Sequence, residues 1–265
     1  MKIVAVALAS VVLAGQQQSN TRANWPCGAR IDPSYFHVAE GTGGQLLLVA
    51  PAEIVGSADL SIAFDKHPET IFRLGGTMNP GVHDFRVPID ASVESVMFSI
   101  SVQCLQSSDV ARPSGGPPTG DGVTDLSNFV ASRMITVARP ETGVWTVRAS
   151  GSGLAGVIVK ARSDIGITSV EFAPAGATTF ANLPVAGVEN AVKIHVSGRA
   201  TRVEASLVDA AAKPIAALPL AAADADGTYR SRFTPGPAGF RVVITGQSEG
   251  GTAFQRVYAP LFTAR

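Results

Sequence analysis

Runs in which apolar and polar residues alternate recur along most of the chain, and glycine, proline, asparagine or aspartate separates them. In residues 96–102 every second residue is apolar, and Trp145 and Val147 alternate with polar residues in the same way. Successive side chains of a β-strand point to opposite faces, so this pattern is typical of a sheet with one buried face. No stretch of twelve or more residues has a convincing helical period. The sequence therefore predicts an all-β protein with antiparallel sheets.

The alternation predicts many short strands with frequent turns between them, which is typical of β-sandwiches. One segment of helical composition, residues 210–223, is broken by two prolines. The predicted strands are residues 45–49, 59–64, 69–74, 83–88, 95–102, 134–137, 143–149, 155–161, 166–172, 192–196, 202–208, 228–234, 240–245 and 253–261.

The length of the chain predicts more than one domain. It has 265 residues, whereas one immunoglobulin-like sandwich needs about 100. A run of alanine, proline and glycine at residues 173–177 separates two strand-rich regions. We therefore expect two immunoglobulin-like antiparallel β-sandwich domains, the first over residues 24–172 and the second over residues 178–265.

Residues 1–15 are typical of a secretory signal peptide. Lys2 supplies a positive charge, residues 3–14 are apolar or small, and polar residues follow from Gln16. This apolar run is shorter than the roughly 20 residues that span a membrane. Cleavage is expected near Ala14-Gly15, and the protein is then secreted or periplasmic, with no membrane span. The alternative is that these residues form a buried strand or helix.

Export changes what the two cysteines, Cys27 and Cys104, are expected to do. An oxidising compartment favours a disulfide between them. That bond would tie the start of the mature chain to the end of the predicted strand 95–102. Two separately buried thiols are the alternative. Neither cysteine has the histidine-containing neighbourhood of a catalytic cysteine.

Two segments are candidate contact sites, because sandwiches present binding loops at their ends. The first is the longest irregular stretch, residues 106–129, and a loop of that length is usually either functional or disordered. The second is a predicted hairpin at residues 187–198. Asp224 and Asp226 fit a turn before a late strand. A calcium loop is the alternative there, although calcium needs six to eight oxygen ligands and this run supplies few.

Composition and motifs argue against several classes of function. The 21 basic and 21 acidic residues give zero net charge, so the sequence predicts no basic surface of the kind that binds nucleic acids. The four histidines are far apart and lack metal-ligand spacing. The carboxylates are scattered, and no Gly-x-Ser-x-Gly nucleophile motif occurs. We therefore predict no catalytic, metal or cofactor site.

Several segments are distinctive in their order along the chain. Residues 40–45 read Glu-Gly-Thr-Gly-Gly-Gln, residues 82–90 are followed by the alternating strand, residues 139–153 contain Pro-Glu-x-Gly-x-Trp, and residues 252–257 end in Phe-Gln-Arg-Val. In this order the last three resemble the region that follows the von Willebrand A domain in hemicentins and related extracellular proteins. The Pro-Glu-x-Gly-x-Trp segment is the most specific part of this resemblance, which extends over residues 35–262.

The resemblance implies two immunoglobulin-like sandwiches of extracellular, matrix or adhesive character, without catalytic residues. Residues 40–45 are similar to the close of the A domain itself. Too few residues precede them for an A domain, so the metal-dependent adhesion site of that domain has no counterpart here.

We therefore expect an exported, non-enzymatic binding, adhesion or structural module that meets a protein, cell-surface or matrix partner. A secreted hydrolase is one alternative, and it would need groups such as His83, Asp84 or His195 brought together in a cleft. A carbohydrate-binding module or accessory domain is the other. Its site would rest on exposed aromatic side chains, for which Trp25 is the best candidate, whereas Trp145 is expected in the core.

Overall fold

A computed structural model describes residues 7–8, 27–54 and 58–265 of the chain. This part contains the helices α1 (Pro33–Thr42) and α2 (Ala58–Asp65), and a 3₁₀ turn at Pro51–Glu53. Strands make up most of the rest, which confirms the all-β prediction. They are β1 (Ala7–Leu8), β2 (Leu46–Leu47), β3 (Glu69–Ile89), β4 (Val93–Ala111), β5 (Val123–Asn128), β6 (Ser132–Ala138), β7 (Gly143–Ser163), β8 (Gly166–Pro174), β9 (Asn190–Ser197), β10 (Ala200–Val208), β11 (Pro214–Leu218), β12 (Thr228–Phe233), β13 (Arg241–Ser248) and β14 (Ala253–Val257).

Five antiparallel strands form one sheet in the order β3-β7-β4-β6-β5, here called the coiled sheet. Its long strands fold over, so that the two halves of the same sheet face each other. The rings of Phe72 and Phe85, both on β3, lie 5.6 Å apart between centroids. Phe98 of β4 lies 5.2 Å from Trp145 of β7 in the same way. The apolar side chains between the two halves form one buried core.

The fold-over occurs where glycines and register shifts interrupt the ladders. The pairing of β3 with β7 shifts between Met78 and Gly81, and the pairing of β4 with β7 shifts on either side of Cys104. A side chain at Gly151 of β7 would collide with the carbonyl oxygen of Cys104. In β3 and β7 each bend lies between two segments that the sequence predicts as separate strands. The glycine-containing stretch between them bends a continuous strand and does not end it.

A layer made of α1, α2 and β2 covers the outer face of one half of the coiled sheet. Leu60 of α2 packs on Met97 and Met134 of the sheet. Residues 59–64 were predicted as a strand, and that prediction is wrong because they lie in α2. In a run this short, apolar spacing does not distinguish a strand from one turn of a buried helix.

Helix α1 is not among the predicted elements, although its end signals are present in the sequence. The Asp32 side chain accepts a hydrogen bond from the Ser34 amide, and Pro33 occupies the first turn. Gly43 ends the helix in the left-handed conformation, with a φ of 72°. These are ordinary helix-start and helix-stop signals. Its apolar residues form no clear stripe, so hydrophobic periodicity does not predict this helix.

The remaining long strands form two facing sheets, β11-β10-β13-β14 and β12-β9-β8, here called the paired sheets. Their core is aromatic: Phe172 of β8 contacts Phe262 and Phe240 edge-on, with centroid distances of 4.8 and 6.1 Å. Sequence analysis assigned residues 166–172 to the first domain. In the structure this strand, β8, pairs with β9 and belongs to the paired sheets.

Two other segments contain strands that the sequence does not predict. Of the predicted loop at residues 106–129, the first part belongs to β4 and Val123–Asn128 forms β5, so the irregular stretch is residues 112–122. The segment of helical composition contains the edge strand β11, which begins at Pro214. The predicted signal peptide, residues 1–15, lies outside the described residues except for β1, which pairs in parallel with β2.

Candidate functional site

The two cysteines are bonded to each other. Cys27 lies in the turn that leads to α1, and Cys104 lies at a bend of β4. The neighbouring Gln103 strengthens the attachment, because its side chain donates to the carbonyl of Ala29 at 2.8 Å and accepts from the amide of Leu154 at 3.2 Å. The bridge therefore anchors the segment before α1 to the coiled sheet.

The loop at residues 112–122 is exposed at one end of the coiled sheet and is held by its own hydrogen bonds. The Arg112 amide donates to the carbonyl of Gly116 at 2.9 Å, and its guanidinium donates to the carbonyl of Thr119 at 2.5 Å. Ser114 donates to the Glu141 carboxylate at 2.7 Å. These hydrogen bonds give the exposed loop a defined conformation.

The second predicted contact segment, residues 187–198, is not a hairpin, because most of it is the strand β9. The turn before β9 is organised by Asn190, which is fully buried. Its amide group donates to the carbonyls of Val185 and Val188 at 2.8 Å, and its oxygen accepts from the Val185 amide at 3.0 Å. Both valines remain exposed, at 39% and 43%.

The residues of the hydrolase alternative do not come together. His83 donates from Nε2 to the carbonyl of Asn79 at 2.9 Å. Asp84 is paired with Arg148, whose hydrogen bonds hold the pKa of that carboxyl below its ordinary value. His195 lies on β9, among the paired sheets, with Nδ1 3.2 Å from the Thr228 hydroxyl. These groups form no acid–base pair.

The remaining candidate residues are placed in structural roles. Asp224 pairs with Arg230, and Asp226 accepts a hydrogen bond from the Thr228 amide at 3.0 Å, so both carboxylates serve the turn before β12. Trp145 is fully buried, and its Nε1 donates to the Glu141 carbonyl at 2.8 Å. Trp25 lies outside the described residues.

The strongest concentration of charge lies between the two groups of sheets, in an interface here called the junction. Its first part is centred on Glu40, near the end of α1, which is 4% exposed. Arg73 of the coiled sheet donates to one oxygen of its carboxylate at 2.8 Å, and Arg241 of β13 donates to the other. Both guanidinium groups are buried. One carboxylate therefore joins two sheets that are far apart in sequence.

Two arginines against one carboxylate leave an excess positive charge, and backbone carbonyls compensate it. Arg73 also donates to the carbonyls of Gly43 and Gly44 at the end of α1, at 3.1 and 2.6 Å. The carboxyl end of a helix carries partial negative charge, so it is a suitable place for a buried cation. Burial lowers the pKa of Arg241, and the Glu40 carboxylate opposes that shift.

The second part of the junction is centred on Arg256 of β14, which is 1% exposed. Its guanidinium donates to the Asp90 carboxylate, the Ile165 carbonyl and the Ser163 hydroxyl at 2.8, 2.8 and 2.7 Å. Ser92 donates its amide and its hydroxyl to the other oxygen of Asp90. The buried charges are therefore fully hydrogen-bonded, as buried ions must be.

The junction fixes the orientation of the paired sheets relative to the coiled sheet. Beside the charged clusters, the Gln255 side chain donates to the carbonyl of Ile71 at 2.9 Å, and the Gly75 amide donates to the carbonyl of Ala210 at 2.8 Å. Sequence analysis did not identify Glu40, which is separated from Arg241 by 201 residues. The signal that could have indicated the junction is the presence of charged residues in the distinctive segments 40–45, 82–90 and 252–257.

No helix in the part of the chain that the structure describes is long and apolar enough to cross a bilayer. No family model matches the chain. It is 28% identical to hemicentin-1 of Mus musculus over 200 residues, which cover 69% of this chain and 3% of the relative. It is 26% identical to hemicentin-1 of Homo sapiens over 204 residues, covering 71% and 4%. The chain therefore spans only a few per cent of the length of these relatives.

Two solved structures are distantly similar. One is the lipase BlEst2 of Bacillus licheniformis in its propeptide form, with 11% identity and a TM-score of 0.32 over 71% of this chain and 40% of that one. The other is the glycoside hydrolase domain Endo-D of Streptococcus pneumoniae, with 12% identity and a TM-score of 0.23 over 72% and 33%. At these scores neither likeness carries an argument about function.

Proposed function

We propose that this protein is an exported, non-enzymatic module that binds a protein or surface partner, or has a structural role at such a surface. The observation that carries the proposal is the junction, where two buried charged clusters hold the coiled sheet and the paired sheets in one orientation. A rigid scaffold with shaped loops at its ends is the usual architecture of a binding module. The similarity to part of hemicentin-1 supports this role.

We also propose how the chain is organised. The coiled sheet with its helical layer and the paired sheets are two sandwich domains, with the boundary at the short connection between β7 and β8. Together they correspond to the region that follows the A domain in hemicentin-like proteins. A leader cleaved near Ala14-Gly15 directs export, and the bond between Cys27 and Cys104 fits an oxidising compartment.

The loop at residues 112–122 is the proposed contact surface. It is exposed, and its conformation is held by Arg112 and Ser114. Partner binding through a preformed loop requires little ordering on association, which favours affinity.

Affinity capture from the envelope and growth medium of the producing cell tests this proposal. The bait is the mature chain, compared with a variant in which residues 114–120 are replaced by a glycine-serine linker of equal length. Arg199→Ala is the matched control, because it alters an exposed charge elsewhere. We expect the control to recover the same partners as the wild type and the loop variant to lose them. Recovery of the same partners by a folded loop variant would show that the contact surface is assigned wrongly.

A further inference from the structure

The end of α2 is fastened to the coiled sheet by a buried histidine. His67 is 5% exposed, and its Nδ1 donates to the carbonyl of Ala63 in the last turn of α2 at 2.6 Å. Its Nε2 is then the acceptor, and the Ser95 hydroxyl of β4 donates to it at 3.1 Å. Burial lowers the pKa of this imidazole, and the nearby cations lower it further. His67 is therefore neutral and forms one wall of the space beyond the helix.

Beyond α2 the outer face of the coiled sheet is open and polar. Under the helix this face carries the apolar Met97 and Met134. Past the helix end, the same face carries Ser95 on β4, Thr136 on β6 and Thr124 on β5, with Thr136 directly opposite Thr124. These side chains line a cleft of about 770 Å³. Binding sites for small ligands commonly have volumes of about 300–1,000 Å³.

The cleft carries cations that are available to a ligand. Lys66 lines it and forms no ion pair or hydrogen bond within the described residues. Arg162 lies opposite Ser95 and, within the part of the chain that the structure describes, forms an ion pair with Glu94 alone, in an exposed contact of 2.8 Å with both side chains about two-thirds exposed. Such a pair contributes little stability, so a ligand anion can replace the carboxylate at small cost. Asp65 is a lining carboxylate that can accept hydrogen bonds from hydroxyl groups.

The combination points to one ligand class. A row of hydroxyl groups and the Asp65 carboxylate suit the hydroxyl groups of a sugar, and Pro68 offers apolar surface to its C–H groups. Arg162 can form a bidentate contact with a carboxylate or sulfate, and Lys66 adds a second positive charge. A neutral sugar would leave these cations unused.

We propose that this cleft binds a short acidic oligosaccharide whose carboxylate or sulfate group contacts Arg162 and Lys66. The inference rests on the proposed binding role and gives it a ligand class. The cleft adjoins the loop at residues 112–122, whose last residue, Gly122, lines it, but it does not include the segment 114–120 that the loop variant replaces. Unlike the site that the sequence suggests around Trp25, this one has no tryptophan, tyrosine or phenylalanine among the described residues that line it.

Isothermal titration of the full exported chain with defined tetrasaccharides tests the proposal. The probes are a hyaluronan tetrasaccharide, which carries carboxylates alone, a heparin tetrasaccharide, which also carries sulfates, and neutral cellotetraose. We expect saturable binding of at least one acidic probe and none of cellotetraose. The acidic probe that binds more tightly identifies the preferred anion.

Variants locate the site. Arg162→Gln and Lys66→Gln should each weaken binding of the acidic probe about fivefold, as expected for an exposed charge contact. Thr136→Val should also weaken it, because it removes a hydroxyl at nearly constant volume. Arg148→Gln is the matched control, since Arg148 lies on the same strand in an exposed ion pair outside the cleft, and it should bind as the wild type does.

Absence of binding by both acidic probes would overturn the inference, as would binding that Arg162→Gln and Arg148→Gln affect equally. These outcomes differ from failure of the proposed function. If partner capture still depends on the loop at residues 112–122 while acidic saccharides do not bind, only the ligand assignment is wrong.

Discussion

Replacement of Arg256 by methionine tests whether the junction holds the two groups of sheets together. Arg256 and Asp90 have side chains that are 1% and 0% exposed. The substitution keeps the apolar volume but leaves the Asp90 carboxylate buried without its cation, and it removes the donors that satisfy Ser163 and the Ile165 carbonyl. Breaking a buried pair by removing one partner costs about 3–5 kcal/mol. That is a large share of the roughly 5–15 kcal/mol by which a typical domain is stable.

The measurement is urea unfolding followed by tryptophan fluorescence, because Trp145 is buried in the coiled sheet. Arg199→Met is the matched control: its guanidinium pairs with Glu249 at 2.7 Å, but the two side chains are 81% and 69% exposed. An exposed pair contributes about 0–1 kcal/mol, so the control should unfold at nearly the wild-type urea concentration.

A double-mutant cycle with Asp90→Asn separates loss of the pair from loss of packing. When Asp90 is already neutral, Arg256→Met no longer strands a buried charge, so the double variant should be more stable than the sum of the single changes predicts. The reasoning is refuted if the free energies of unfolding of Arg256→Met and the Arg199→Met control differ by less than about 1 kcal/mol. It is also refuted if the effects of Arg256→Met and Asp90→Asn on that free energy are additive.

Three further outcomes follow from the structure. Gly75→Ala places a methyl group 2.7 Å from the Glu40 carboxylate and should lower the free energy of unfolding by about 1–3 kcal/mol. In the control Gly41→Ala the new methyl group meets no atom within 4 Å, so this change should be neutral or stabilising by up to about 1 kcal/mol. Equal effects of the two substitutions on stability would contradict the packing argument. Replacing both cysteines by serine should lower the free energy of unfolding by about 2–4 kcal/mol, and a reducing agent should then affect the wild type alone. The pKa of His67 is lowered in the folded protein, so the unfolded chain binds a proton that the folded chain does not. The free energy of unfolding of the wild type should therefore fall as the pH drops below about 6.5, and that of His67→Gln should fall less between pH 7.5 and pH 5. Equal losses of stability in the two proteins would show that this imidazole does not contribute.

The sequence predicts strands well because alternation is a local property, but it does not predict how far each strand continues. Residues 69–74 and 83–88 appear as two strands because glycine, asparagine and proline lie between them. In the structure both belong to β3, and the interruption is the bend that brings Phe72 against Phe85. Whether such a stretch ends a strand or bends it depends on the partner strand, and β7 bends at the same register. That information is not local.

The cleft beyond α2 shows a second limit of local pattern. Thr124, Thr136 and Arg162 come from three strands, and only the pairing register places them on one face. The open face also requires α2 to end at Asp65, in a segment that alternation predicted as a strand. Because residues 59–64 are predicted as a strand and not as a helix, the sequence does not predict this cleft.

The junction connects the resemblance of the sequence to its structure. The distinctive segments at residues 40–45, 82–90 and 252–257 are separated by tens to hundreds of residues, yet Glu40, Asp90 and Arg256 from these segments all lie at the junction. A buried carboxylate is stable only with its partner, so a change in one of these segments must be matched by a change in another strand. These three segments therefore supply charged side chains of the interface that orients the sheets, whereas the exposed loop and the polar cleft do not contain these buried charges and can differ without loss of the fold. We accordingly expect partner and ligand specificity to reside in those two surfaces.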